Sequence, residues 1–133
     1  MFFFFLGARE LYESPELDRF QRALEMIRLR APTITVQMLA TLLRVGNLPT
    51  RSGELITVSD IVAQSPGQSY STIARQLDLL GDGMGKTAGL GLIEKRSDEK
   101  DRRIRHVAIS EKGKLFLYEL DSILAADLVE RSQ

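Results

Sequence analysis

Lys100, Arg102, Arg103 and Arg105 put four basic side chains into six positions of one charged turn. Like charges at that spacing do not neutralise one another. Arginines at a protruding tip suit the minor groove of a duplex, where the potential is most negative. Asp98 or Asp101 in the same turn is placed to hold a guanidinium fork by a two-point pair. The plainer alternative is a solvated turn whose charges keep strand edges from pairing. Upstream, Gln68, Ser69, Tyr70, Ser71, Thr72, Arg75 and Gln76 form the outward positions expected of a short helix whose inward positions are Ile73, Leu77 and Leu80. Arginine matches guanine O6/N7 and glutamine matches adenine N6/N7. Hydroxyls and a helix N-terminus suit phosphate oxygens. Lys95, Arg96, Lys100 and Arg105 are expected at phosphates. An ordinary amphipathic helix with a wet polar face is the competing reading of this segment.

Other chemistries are closed off. Among 133 residues there is no Cys and one His, His106. That leaves no thiolate nucleophile, no disulfide framework and no multi-histidine metal site. His106 is expected on a strand, half-buried or at the surface, with a phosphate contact as the minor reading. Gly81-Asp82-Gly83-Met84-Gly85-Lys86-Thr87 imitates a phosphate-binding loop, but the motif needs four residues between its first Gly and Gly-Lys-Thr. Here there are three, and Leu80 occupies the required place. Glu10, Glu13 and Glu16 read as a solvated acidic face. The sequence predicts no enzyme, no cofactor and no metal.

The elements follow from spacing. Ser14-Pro15-Glu16 opens an amphipathic helix, Glu16–Leu29, carrying Leu17, Phe20, Leu24 and Ile27. Thr33 is expected to cap a second, with Ile34, Met38, Leu39, Leu42 and Leu43 as its apolar face and Gly46-Asn47 as its stop. Leu48–Gly53 reads as a loop and Glu54–Val58 as a short strand. Thr57 or Ser59 caps a short helix that ends at Ser65-Pro66-Gly67-Gln68, and Ser69 or Ser71 starts the next. Two short helices around a tight turn form a helix-turn-helix pattern. Gly81–Gly91 has five glycines in eleven residues and reads as a flexible loop. Leu92–Arg96 and Ile104–Ile109 read as a hairpin. Ser110 caps a last helix bearing Leu115, Phe116, Leu120, Ile123, Leu124 and Leu128.

Net charge is zero, with 18 Lys+Arg against 18 Asp+Glu. Yet residues 94–115 hold eight bases against five acids, while 1–25 and 116–133 are net acidic. A basic middle between acidic ends suggests one face for a polyanion and another for a different contact. The longest apolar run, Met1–Leu6, is far short of the roughly 20 residues a spanning helix needs and lacks the basic flank and cleavage site of a signal peptide. A cytoplasmic protein with no membrane contact is the expectation.

Thr57–Gly113 resembles the MarR family of winged-helix transcription regulators. The likeness runs through Val58–Ala63, Ser69–Asp78, Gly91–Arg96, Asp98–Arg103 and Val107–Gly113, and its most specific part is the Asp101-Arg102-Arg103 wing followed by a strand and a Ser-x-x-Gly helix start. The resemblance implies a mainly α (α+β) winged helix-turn-helix domain over residues 1–133. In it, 1–30 and 110–133 are dimerisation helices and 33–109 is a DNA-binding lobe with its wing at 92–109. It implies a cytoplasmic homodimer on pseudo-palindromic double-stranded DNA, acting as a transcription regulator and often a repressor. The helix at 69–80 would enter the major groove, and the wing at 97–105, through Arg102 or Arg103, the minor groove. It also implies an interface on the outer helices, here through Leu17, Phe20, Leu24, Phe116, Leu120, Ile123 and Leu124, with Phe2–Leu6 as an addition.

Two features depart from the family pattern. Gly81–Gly91 is several residues longer than the usual join, which is expected either to change the wing's reach or to add a contact through Met84 and Lys86. Only one substantial C-terminal helix is present where the family usually has two. Many members bind small aromatic acids between the dimer helices and the DNA lobe; nothing in this sequence names such an effector. The neutral charge and the long Gly-rich loop keep a second reading open, a winged-helix module that binds a polymerase or another regulator.

Overall fold

A computed structural model describes residues 14–48 and 55–131; Phe2–Leu6 and nearly all of the Leu48–Gly53 loop lie outside them. Along the described residues run α1 (Pro15–Arg30), α2 (Val36–Asn47), β1 (Ile56–Thr57), α3 (Val58–Ala63), α4 (Tyr70–Leu80), β2 (Gly83–Met84), β3 (Thr87–Ala88), β4 (Ile93–Ser97), β5 (Arg105–Ile109) and α5 (Glu111–Arg131). The chain divides into two compact units, one of Met1–Pro32 with Leu117–Gln133 and one of Thr33–Phe116. No helix among the described residues is long and apolar enough to cross a membrane.

In the Thr33–Phe116 unit, capping hydroxyls set where helices begin. Thr35, not Thr33, caps α2: its backbone is extended and its Oγ1 accepts from Met38 N at 3.1 Å. Thr33 lies too early, in the turn that follows Ala31. The α2 stripe that goes inside is Met38, Thr41, Leu42 and Val45, which leaves the expected Leu43 exposed. Thr57 closes β1 and also caps α3. Its Oγ1 accepts from Asp60 N at 3.1 Å while Asp60 Oδ2 accepts from Thr57 N at 2.9 Å, a reciprocal box that satisfies two helix-end donors. After the Ser65–Gln68 turn, Ser69 Oγ accepts from Thr72 N at 3.2 Å and starts α4.

Leu42, Ile61, Ile73, Leu77, Leu80 and Leu92 are fully buried at the centre of this unit. Each such side chain contributes about 2 kcal/mol by leaving water. The sheet beside them has the order β1-β5-β4, all antiparallel, with Ile56 opposite Val107 and Ile93 opposite Ile109. β4 and β5 form the wing, turning over Asp98–Ile104.

The Gly81–Gly91 stretch is not a flexible loop. β2 and β3 pair antiparallel, Gly83 with Ala88 and Met84 with Thr87, around a two-residue turn whose first residue, Gly85, takes φ +54°. Glycine at that position is what a type II′ hairpin turn needs. The segment rejoins the lobe through Leu90 N to Leu79 O (3.0 Å) and Leu92 N to Leu80 O (2.8 Å). The insert therefore sits at the root of the wing. It is separated from the wing tip by the length of β4, about 15 Å.

Ser110 and Gly113 explain the Ser-x-x-Gly helix start. Ser110 Oγ accepts from Gly113 N at 2.9 Å and donates to Gly91 O at 2.6 Å, so one hydroxyl caps α5 and fastens the root of β4. A Cβ on Gly113 would stand 2.0 Å from Leu92 O, so only glycine allows this approach.

In the other unit, Ser14 caps α1, its Oγ accepting from Leu17 N at 3.3 Å, with Pro15 in the first turn. Arg30 donates two hydrogen bonds to Glu119 of α5, at 3.1 and 3.3 Å, and the carboxylate raises the guanidinium pKa above its ordinary value. Ala23, Met26 and Ile27 are buried. Leu17, Phe20 and Leu24 form an exposed apolar stripe on α1, with Phe20 56% exposed, and Leu124 is exposed on α5. Ile123 is half-buried. Phe116 and Leu120, expected at a dimer interface, are instead buried within the chain itself.

Candidate nucleic-acid interface

The N-terminal half of α4 offers a polar face. Ser69, Tyr70, Ser71, Thr72 and Arg75 are exposed, and Gln68 is half-buried in the turn before them. Ser69 Oγ also donates to Thr72 Oγ1 at 2.9 Å and lies 3.2 Å from Ser71 Oγ, which gathers three hydroxyls at the helix end. Gln76 does not belong to this face. It is 6% exposed and hydrogen-bonded to the Thr41 hydroxyl of α2, because it falls three residues after Ile73 on the buried stripe. The expected base contact from Gln76 is thereby removed.

Lys95 is also corrected. It has the same strand parity as buried Ile93, so it points to α4 and forms an ion pair with Asp78, with 19% of its side chain exposed. It has no free charge to offer a phosphate. Arg96, of opposite parity, is exposed and pairs with Glu94 at 2.9 Å.

The wing tip is built by two carboxylates. Asp98 Oδ2 accepts from Lys100 N at 3.1 Å and from Asp101 N at 2.9 Å, while Asp98 Oδ1 meets His106 Nε2 at 3.1 Å. His106 is half-buried, and its hydrogen bond is the main reason the Asp98 carboxyl is held below the usual carboxylate range; the Asp101 amide adds to it. Asp101 holds Arg103. Its Oδ1 accepts from Arg103 N (3.1 Å) and Nε (3.0 Å), and its Oδ2 from Nη2 (3.1 Å). The pair lowers the Asp101 pKa and raises that of Arg103. Of the two aspartates, Asp101 is thus the one that orients an arginine fork. Lys100, Arg102 and Arg105 are exposed and have no ion-pair partner among the described residues. The His106–Asp98 link was not foreseen from sequence; its signal is that Asp98 opens the wing turn and His106 lies on the strand that leaves it.

Among the described residues no group of three His, Asp or Glu is placed to hold a metal ion. A groove of about 410 Å³ on the outer face of the wing is lined in part by Arg96, His106, Glu111 and Lys114. Its Arg96 and Lys114 are already paired, with Glu94 and Glu111.

No family model and no curated protein matches the sequence. Solved structures do match. S. aureus MepR in a MepR–DNA complex is similar at a TM-score of 0.63 with 20% identity, covering 87% of this chain and 82% of that one. Streptococcus pneumoniae FabT in complex with DNA is similar at a TM-score of 0.55 with 22% identity, covering 86% and 74%. The fold is the MarR-type winged helix. Within this MarR-type fold α3 and α4 are the helix-turn-helix, and β4 and β5 are the wing. The β2–β3 hairpin is an ordered element between α4 and the wing.

Proposed function

We propose that the chain is a sequence-specific, double-stranded-DNA-binding transcription regulator that works as a cytoplasmic homodimer, most simply as a repressor occupying a pseudo-palindromic site. One observation carries the reading: the exposed hydroxyl- and arginine-bearing end of α4 shares a compact unit with a wing whose Lys100, Arg102 and Arg105 have no ion-pair partner among the described residues. Gln68, Ser69, Tyr70, Ser71, Thr72 and Arg75 line the major groove, with Arg75 the reader of a base edge. Arg102 enters the minor groove beside Arg103, while Lys100, Arg105 and Arg96 meet phosphates. The exposed Leu17, Phe20 and Leu24 stripe, with Leu124 and Ile123, joins the two copies. The MepR and FabT structures were both determined on DNA, which supports the same use of the fold.

The test is fluorescence anisotropy on pooled duplexes across a salt series, for wild type and Arg102→Ala. Tight, selectable binding is expected, with a steep salt slope that is shallower in the variant by about one. Binding that stays weak and indifferent to sequence, beside capture of a tight protein partner, would move the chain to the interaction-module reading.

A further inference from the structure

The buried amide of Gln76 has a direction. Its Oε1 accepts from the Thr41 hydroxyl on α2. That acceptance turns its Nε2 the other way, where the two N–H groups meet Gln37 Oε1 at 3.5 Å and Gln68 Oε1 at 3.4 Å. A carboxamide whose oxygen is held inward must present its NH2 outward. Gln37 is exposed on the first turn of α2, and Gln68 is half-buried at the entry to α4. One buried side chain therefore sets the orientation of two surface glutamines.

We infer that Gln76 is a positioning residue for sequence discrimination: it fixes Gln68, and with it Gln37, as hydrogen-bond donors toward the duplex. A free glutamine offers donor and acceptor together and suits adenine. A glutamine whose oxygen already accepts from Gln76 keeps one lone pair but leads with its N–H groups, and so favours an acceptor such as guanine O6/N7, thymine O4 or a phosphate oxygen. The inference rests on the DNA-binding reading and adds the chemistry of the partner at one position. The Thr41 hydroxyl accepts from Arg44 Nη1 at 3.5 Å and donates to Gln76 Oε1, which favours the oxygen end of the Gln76 amide facing inward. Thr41 is itself fully buried, so its hydroxyl has no solvent alternative.

The test uses the full chain as wild type, Gln76→Met, Gln68→Ala and the double variant. Binding is read by anisotropy on the selected duplex and on a random one. Gln76→Met keeps the volume and apolar packing of the site, and a melting curve checks that it folds. It is expected to lose about tenfold in discrimination, the scale of one side-chain contact to a base, with an unchanged salt slope. The double variant is expected to be no worse than Gln68→Ala alone, because both changes remove the same contact. Unaltered discrimination in Gln76→Met, or losses that simply add, overturns the inference. Side-chain amide NMR of the free protein decides the orientation without DNA. Gln76→Met should shift the Gln68 and Gln37 NH2 signals, and unmoved signals overturn the assignment. Absence of saturable, salt-dependent duplex binding by wild type is a separate outcome. It overturns the DNA-binding reading and the discrimination role with it, while the NMR result still judges the geometry.

Discussion

Asp101 grips Arg103 along one edge of its guanidinium, through Nε and Nη2, while 91% of the arginine side chain remains exposed. The fork is thus aimed without being hidden. Asp101→Ala should free Arg103 and weaken binding to all duplexes by a similar factor, while preserving the order of preference among them. Arg103→Ala should do the same and lower the salt slope by about one, since it removes a cation near phosphate. Parallel titrations on two duplexes check both. A change in preference rather than in overall affinity would contradict this role for the wing.

Arg75→Ala is expected to act in the opposite way. Arg75 is exposed on α4, so stability should move by less than about 0.5 kcal/mol. Discrimination should fall by about 1–3 kcal/mol if the contact is two-point to a base. Selection from a random library with the variant would read out the relaxed position directly.

Acid should loosen the wing tip. The Asp98 carboxyl titrates below its ordinary value of about 3.9, so its bonds to His106, Lys100 and Asp101 stabilise the folded form at every pH above that value. That contribution is lost as pH falls through the folded pKa. The Lys100 and Asp101 amide shifts should move as pH falls, with an acid midpoint below about 3.9. Asp98→Asn should remove the transition at Lys100, while Asp101, itself held low by Arg103, still titrates; a Lys100 midpoint above about 4 in wild type would be inconsistent with the geometry.

Gly113→Ala should cost about 2–3 kcal/mol in urea unfolding, because its methyl would be driven into the Leu92 carbonyl at the root of β4. Leu77→Ala, which opens a cavity at a fully buried position, should cost about 2–5 kcal/mol. Equal or greater stability in Gly113→Ala would mean that α5 and β4 do not meet as closely as described.

Much of the architecture was readable because it is local. Ser69, Thr57 and Ser110 are hydroxyls directly before apolar-periodic runs, and each proved to be a cap. The wing was legible from its turn charges and β-formers. What was missed depended on parity or on backbone angle. Gln76 was assigned outward by its polarity, although Ile73, Gln76, Leu77 and Leu80 share one helical stripe; the signal was that spacing, and its partner Thr41 is 35 residues away. Lys95 was assigned to phosphate by its charge, although two-residue alternation from Ile93 turns it inward. In the Gly81–Gly91 stretch, composition suggested freedom, whereas the sign of φ at Gly85 builds a tight turn. Phe116 and Leu120 were placed at an interface by the family resemblance together with the apolar stripe of the last helix, and a stripe does not distinguish a protein's own core from a partner's surface.

The wing is hard at one end and soft at the other. Its root is riveted by Ser110 to Gly91 and by the glycine contact at Leu92. Its tip is tied by the half-buried carboxylates of Asp98 and Asp101 and by the backbone bonds Asp98 N to Ile104 O and Ile104 N to Asp101 O, both 2.9 Å. Protection against hydrogen exchange should therefore form a gradient. Leu92 and Ser110 amides should open only with the whole lobe, and Lys100 and Arg103 by local fraying at a small fraction of that free energy. A finger of this kind keeps its heading from the palm while its last joint is left to yield.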